Sequence, residues 1–91
     1  MAIIAEWLKV DEDSVLQSLQ GACDKLETAD GEMVLDLSSV RRIDAAAVKT
    51  LEKLASSADE KAVKVVLRGV NVEIYKVLKL VKLTRRFTFV T

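Results

Sequence analysis

Three times along the chain an apolar residue precedes an Asp or Asn, and a second apolar residue follows four positions after it: Val10-Asp11 with Val15, Ile43-Asp44 with Val48, Val70-Asn71 with Tyr75. This is the pattern of a helix N-cap with a hydrophobic staple, in which the residue before the cap packs on one in the first turn. Each start follows a run of strand type. Ile3 to Val10 supplies Ile3, Ile4, Trp7, Leu8 and Val10; the run from Met33 supplies Val34, Leu35 and Leu37; Ala62 to Arg68 supplies Val63, Val65, Val66 and Leu67. A last strand, Arg86 to Val90, puts Phe87 and Phe89 on one face. The alternation predicts an α/β fold, β-α-β-α-β-α-β, with about four mostly parallel or mixed strands and three helices.

Helical spacing fills in the elements between. Asp11 to about Thr28 carries Val15, Leu16, Leu19, Ala22, Cys23 and Leu26 on one face, and the segment after Asp44 carries Val48, Leu51, Leu54, Ala55 and Ala58. A third helix is expected over Val72 to Val81. Gly21 inside the first helix costs about 1 kcal/mol against alanine, so close approach to the sheet is the expected reason for it. Ala29-Asp30-Gly31-Glu32 reads as a helix stop and turn, with Gly31 able to take a left-handed conformation. Trp7, the lone tryptophan, is expected in core or strand packing.

At 91 residues and 51% apolar content the chain reads as one domain, residues 1–91, with no linker, low-complexity run or internal repeat. No apolar stretch approaches the roughly 20 residues that span a bilayer. The start MAIIAEWLKVDED lacks the basic region and cleavage site of a signal peptide, so a cytoplasmic protein that is not membrane-embedded is expected. Cys23 is the one cysteine, which rules out an internal disulfide, and its place on the helix face points to a buried structural thiol.

Charge is balanced overall and uneven along the chain. Residues 1–60 hold 6 basic and 13 acidic side chains, a balance of −7; residues 61–91 hold 8 and 1, a balance of +7. Lys61, Lys64, Arg68, Lys76, Lys79, Lys82, Arg85 and Arg86 either face acidic neighbours in the fold or form a basic patch around the last helix that meets an acidic partner or anionic headgroups. No aromatic residues interleave with these cations as base stacking requires, so no nucleic-acid partner is expected.

Catalysis is poorly supplied. Histidine is absent, the single cysteine falls on a helix face, and Asp11, Glu12 and Asp13 read as a solvated helix start. Neither GxGxxG nor GxxxxGK[ST] occurs, so no nucleotide cradle, cofactor or metal is expected, and no enzyme.

The segment Asp36-Leu37-Ser38-Ser39-Val40-Arg41-Arg42-Ile43-Asp44-Ala45-Ala46-Ala47-Val48 resembles the STAS domain, the module of bacterial anti-sigma factor antagonists and sulphate-transporter tails. In that family a strand ends in a D-L-S-like segment, and after a short loop D-S-S-G-L or D-T-A-G-L opens a helix. The likeness extends more weakly through Val63 to Leu67 and the closing RFTFV, and lacks the family's extra strand before Ile3, which leaves a shorter sheet with an exposed edge. In switched antagonists the residue after the aspartate is the phosphorylated Ser or Thr. Here it is Ala45, which has no hydroxyl to modify.

The resemblance implies a regulatory protein-binding module that docks through Ser38, Ser39, Asp44, Ala45, Ala46, Ala47 and Val48, without phosphorylation at Ala45. The other reading is that this loop has become structural and the docking face has moved. Ser38, Ser39 and Thr50 are nearby hydroxyls that either cap and solvate or take a phosphate instead. The implied partner is an anti-sigma factor kinase or, alternatively, the ATPase of a bacterial phospholipid-transport ABC system to which the chain would be an accessory subunit. On this reading Ala46→Arg or Val48→Asp should block capture and leave the fold intact.

Overall fold

In the computed structural model, which describes residues 6–28 and 31–90, each expected strand-and-helix alternation forms. The elements are β1 (Glu6–Lys9), a 3-10 turn at Glu12–Ser14, α1 (Val15–Leu26), β2 (Glu32–Asp36), α2 (Ala45–Lys61), β3 (Lys64–Arg68), α3 (Val72–Leu80) and β4 (Thr88–Val90). Ile3 and Ile4 of the expected first strand, and Ala29 and Asp30 of the expected turn, lie outside the described residues.

The four strands are all parallel and stand in sequence order, β1-β2-β3-β4. Parallel crossovers are right-handed, and three taken in the same direction send all three helices to the same face of the sheet. Burial agrees with that geometry. Met33, Leu35, Val65 and Leu67 form one core cluster with Leu19, Ala22 and Leu26 of α1, Leu51, Leu54, Ala55 and Ala58 of α2, and Ile74 and Leu78 of α3. α1 and α2 pack side by side. The staggered row Trp7, Val34, Val66 and Thr88, in register across all four strands, falls on the opposite face.

That face decides between the two expectations for Trp7: it is 58% exposed and so not in the core, and it packs on the sheet surface as part of β1. The Arg68 guanidinium reaches diagonally across β2 to lie 5.5 Å from the centre of the Trp7 ring. On the way it passes within 3.9 Å of the Asp36 carboxylate. Val34, beside Trp7 in register, is shielded to near burial.

Other expectations shift by local chemistry. Asp11 opens the 3-10 turn, not α1, and its side chain accepts no cap hydrogen bond. Leu16, expected on the buried face of the first helix, is 38% exposed and lies outside the core. Gly21 has nothing within 4 Å of where a Cβ would sit, so close approach to the sheet does not explain it. Ala62, expected to begin the third strand, is instead the left-handed residue that ends α2, with φ 56°. Gly31 does take the left-handed conformation, with φ 88°.

Candidate functional site

The site is the β2–α2 connection at the carboxyl edge of the sheet, where parallel α/β sheets expose helix N-termini. Past Asp36, Leu37 keeps to the ladder by donating its N–H to the Arg68 carbonyl at 2.8 Å, and its side chain is buried. The chain then turns. Ser38 N–H donates to Asp36 Oδ1 at 3.0 Å, Val40 N–H donates to the Leu37 carbonyl at 3.0 Å, and the Val40 side chain drops into the core. Buried Leu37 and Val40 and half-buried Ile43 thus pin the loop from below, so that Ser38, Ser39, Arg41, Arg42 and Asp44 point to solvent.

Asp44 is the N-cap of α2: its Oδ1 accepts from Ala47 N–H at 2.9 Å. Ala45 and Ala46, in the first turn, are exposed. Ala47 and Val48, one turn-step further round, are 1% and 9% exposed and belong to the buried side of the helix. Of the seven residues expected to meet a partner, Ser38, Ser39, Asp44, Ala45 and Ala46 are therefore accessible, and Ala47 and Val48 are not. Val48→Asp consequently puts a carboxylate into the core and tests stability rather than contact. Thr50 is likewise no accessible hydroxyl, being buried with its Oγ1 donating to the Ala46 carbonyl at 3.0 Å.

Two residues that the sequence does not connect with this loop shape it. Asn71 caps α3, its Oδ1 accepting from Ile74 N–H at 2.8 Å, while its Nδ2 donates to the carbonyls of Arg41 at 2.9 Å and Val40 at 3.3 Å. One amide therefore ties the start of α3 to the loop before α2. Gly69, with φ 73°, lies so close to Ser38 that a Cβ would come within 2.7 Å of the serine Cβ. The cap role of Asn71 is legible locally; its bond to a loop some 30 residues earlier has no sequence signal.

Beside the loop runs a groove of about 590 Å³ lined by residues 12–17 and by Arg42, Ile43 and Asp44. Glu12 and Asp13 give it an acidic wall, Val15, Leu16 and Ile43 an apolar floor, and Glu12 lies 3.7 Å from the exposed Arg41. An exposed pair of this kind contributes little to stability. Beneath the loop, the Asp36 carboxyl is held below its ordinary value by hydrogen bonds from the Ser38 side chain and backbone, reinforced by Arg68 and Lys9. Burial pushes the Cys23 thiol up, against a smaller opposing pull from Lys53, which disfavours a nucleophilic thiolate. Among the described residues no group of three His, Cys, Asp or Glu side chains is placed to hold a metal ion.

A parallel sheet with a capped, small-residue helix start exposed at its carboxyl edge defines an α/β domain. The chain belongs to the STAS domain family, whose model matches residues 6–91. Two solved structures share the fold. A protein assigned as an anti-sigma factor antagonist from Thermotoga maritima is 20% identical, with a TM-score of 0.71 over 92% of this chain and 71% of that one. A sulfate transporter family protein from Wolinella succinogenes is 20% identical, with a TM-score of 0.76 over 98% of this chain and 80% of that one. No curated protein matches the sequence. Domains of this family mediate protein–protein interaction, and no helix among the described residues is long and apolar enough to cross a membrane.

Proposed function

We propose that the chain is a regulatory protein-binding module resembling an anti-sigma factor antagonist, and that it captures its partner through Ser38, Ser39, Asp44, Ala45 and Ala46. The observation that carries this reading is the exposed pair Ala45–Ala46 on a helix start whose backbone is already capped by Asp44. Small side chains let a partner approach the helix backbone closely, and a loop anchored by Asn71 and by the Gly69–Ser38 contact loses little conformational entropy on binding. With no hydroxyl at Ala45, docking is constitutive at this position, since the phosphate that would add about two negative charges cannot be attached.

The test is affinity purification of tagged wild-type and Ala46→Arg protein from native cells, read by quantitative mass spectrometry. Ala46→Arg puts a long cation on an exposed position and should lower recovery of the specific partner at least ten-fold with an unchanged melting temperature. Ala45→Glu, which mimics the missing phosphate where the helix dipole favours a negative charge, should also lower capture without loss of stability. Equal recovery by wild type and both variants removes the site assignment.

A second reading, an accessory subunit on the ATPase of a bacterial phospholipid-transport ABC system, uses the same surface. It is favoured by the cations exposed along and after α3, which suit a station beside a membrane. The captured protein decides between them: a kinase supports the first, a transporter ATPase the second.

A further inference from the structure

Away from this loop, the outward side of α3 and the turn that follows it combine charge and exposed apolar surface. Ile74 and Leu78 face the core, so Val72, Lys76, Lys79 and Leu80, at helical spacings of four, seven and eight from Val72, form the outward stripe. Leu80 is 82% exposed and Val72 69% exposed, the two most exposed large apolar side chains among the described residues. The helix then ends in a Schellman turn, with Leu83 N–H donating to the Leu78 carbonyl at 2.8 Å and Lys82 N–H to the Lys79 carbonyl at 3.1 Å. Leu78 and Leu83 are both buried, which anchors the turn and leaves Lys79, Lys82 and Arg85 outside.

Those three cations, with Thr84, line a dent of about 340 Å³. Among the described residues none of them, nor Lys76, makes a salt bridge; Arg86, next in the chain, is taken by Asp59 at 2.6 Å. Glu73 at the far end of α3 is the one carboxylate on this helix. The negative pole of a helix C-terminus amounts to about half a charge, which three surrounding cations outweigh.

We propose that the end of α3 and the Lys82–Arg85 turn form a docking surface for an anionic lipid bilayer, the dent taking a headgroup phosphate and Leu80 entering the boundary between headgroups and acyl chains. The chemistry matches a bilayer better than an acidic protein. Leu80, 82% exposed, directly follows Lys79 of the cationic dent, so exposed apolar surface and anion site adjoin as acyl boundary and phosphate do in a leaflet. The surface is separate from the Asp44–Ala46 face, so the proposal holds whichever protein that face captures.

The experiment is co-sedimentation of the purified full chain with vesicles of phosphatidylcholine alone or mixed with phosphatidylglycerol. Binding is expected only to the mixed vesicles and should fall as salt rises. Each cation near an anionic surface contributes about five-fold in affinity, so Lys79→Glu with Lys82→Glu should lose well over ten-fold. Leu80→Ser, with charge unchanged, should lose several-fold. Circular dichroism confirms that these exposed-site variants stay folded. Absence of binding to mixed vesicles, equal binding to phosphatidylcholine alone, or wild-type binding by Leu80→Ser overturns the proposal. So does full release from mixed vesicles by inorganic phosphate at an ionic strength where sodium chloride leaves them bound, which marks a site for a free anion, or equally tight binding to soluble polyglutamate, which marks an acidic protein partner.

Discussion

Ala62 and Lys82 both hold left-handed backbone, with φ 56° and 63°, at positions where helices usually place glycine or asparagine. Each closes a Schellman turn: Val63 N–H donates to the Ala58 carbonyl at 2.9 Å just as Leu83 N–H donates to Leu78. A left-handed L-residue costs roughly 1–2 kcal/mol, partly offset because glycine loses more entropy on folding. Ala62→Gly should therefore stabilise the fold by about 0.5–1 kcal/mol, measured as a raised urea midpoint with unchanged slope. Gly69→Ala should do the opposite and cost about 2 kcal/mol or more, because it adds both the left-handed strain and a clash with Ser38. These turns also show where reading residues fails. Asp44 and Asn71 were legible as caps because capping is local chemistry carried by the side chain itself. Ala62 reads as strand in the sequence because an alanine gives no sign that its backbone turns left-handed.

Among the elements, the loop before α2 and the start of α3 behave as one piece, because Asn71 bonds both. Asn71→Asp keeps an acceptor for Ile74 N–H and removes the donor to the Val40 and Arg41 carbonyls. It should leave α3 capped yet free the loop, seen as faster amide exchange over residues 41–44 and weaker partner capture, while Asn71→Ala should also fray α3 and cost about 1 kcal/mol more. If Asn71→Asp leaves exchange in that loop unaltered, the tie is not what holds it. Helical period accounts for the rest of the site's legibility. The capped start was readable from Ile43-Asp44 and Val48, but Ala47 and Val48 turn inward because they are one and two steps round from the exposed Ala46. The acidic groove was not readable, since residues 12–17 and 42–44 meet only once α1 and α2 lie side by side.

At the scale of the molecule, the sheet divides into a face covered by the helices and a face that none of the described helices covers. On the latter, strand alternation places Trp7 with Val34 and Val66, which is why strand packing rather than the core is the outcome for the lone tryptophan. Asp36, on the open face beside Arg68, also receives the Ser38 hydrogen bonds where β2 runs into the loop. Its carboxyl is held below the ordinary 3.8, so the carboxylate stabilises the fold above about that pH and the contribution fades as pH falls through the lower folded value. Urea titrations of wild type and Asp36→Asn should diverge at neutral pH and converge in acid; a gap that stays constant with pH would assign the effect to packing. The sequential order of strands has a further consequence. Because β1 pairs with β2 and β4 with β3, opening can begin at these short outer ribbons and advance inward with the pairing of β2 and β3 the last to part. The domain should come apart like a stack of cards taken from either end, with the loop before α2, rooted between the two middle cards, among the last parts to lose its shape.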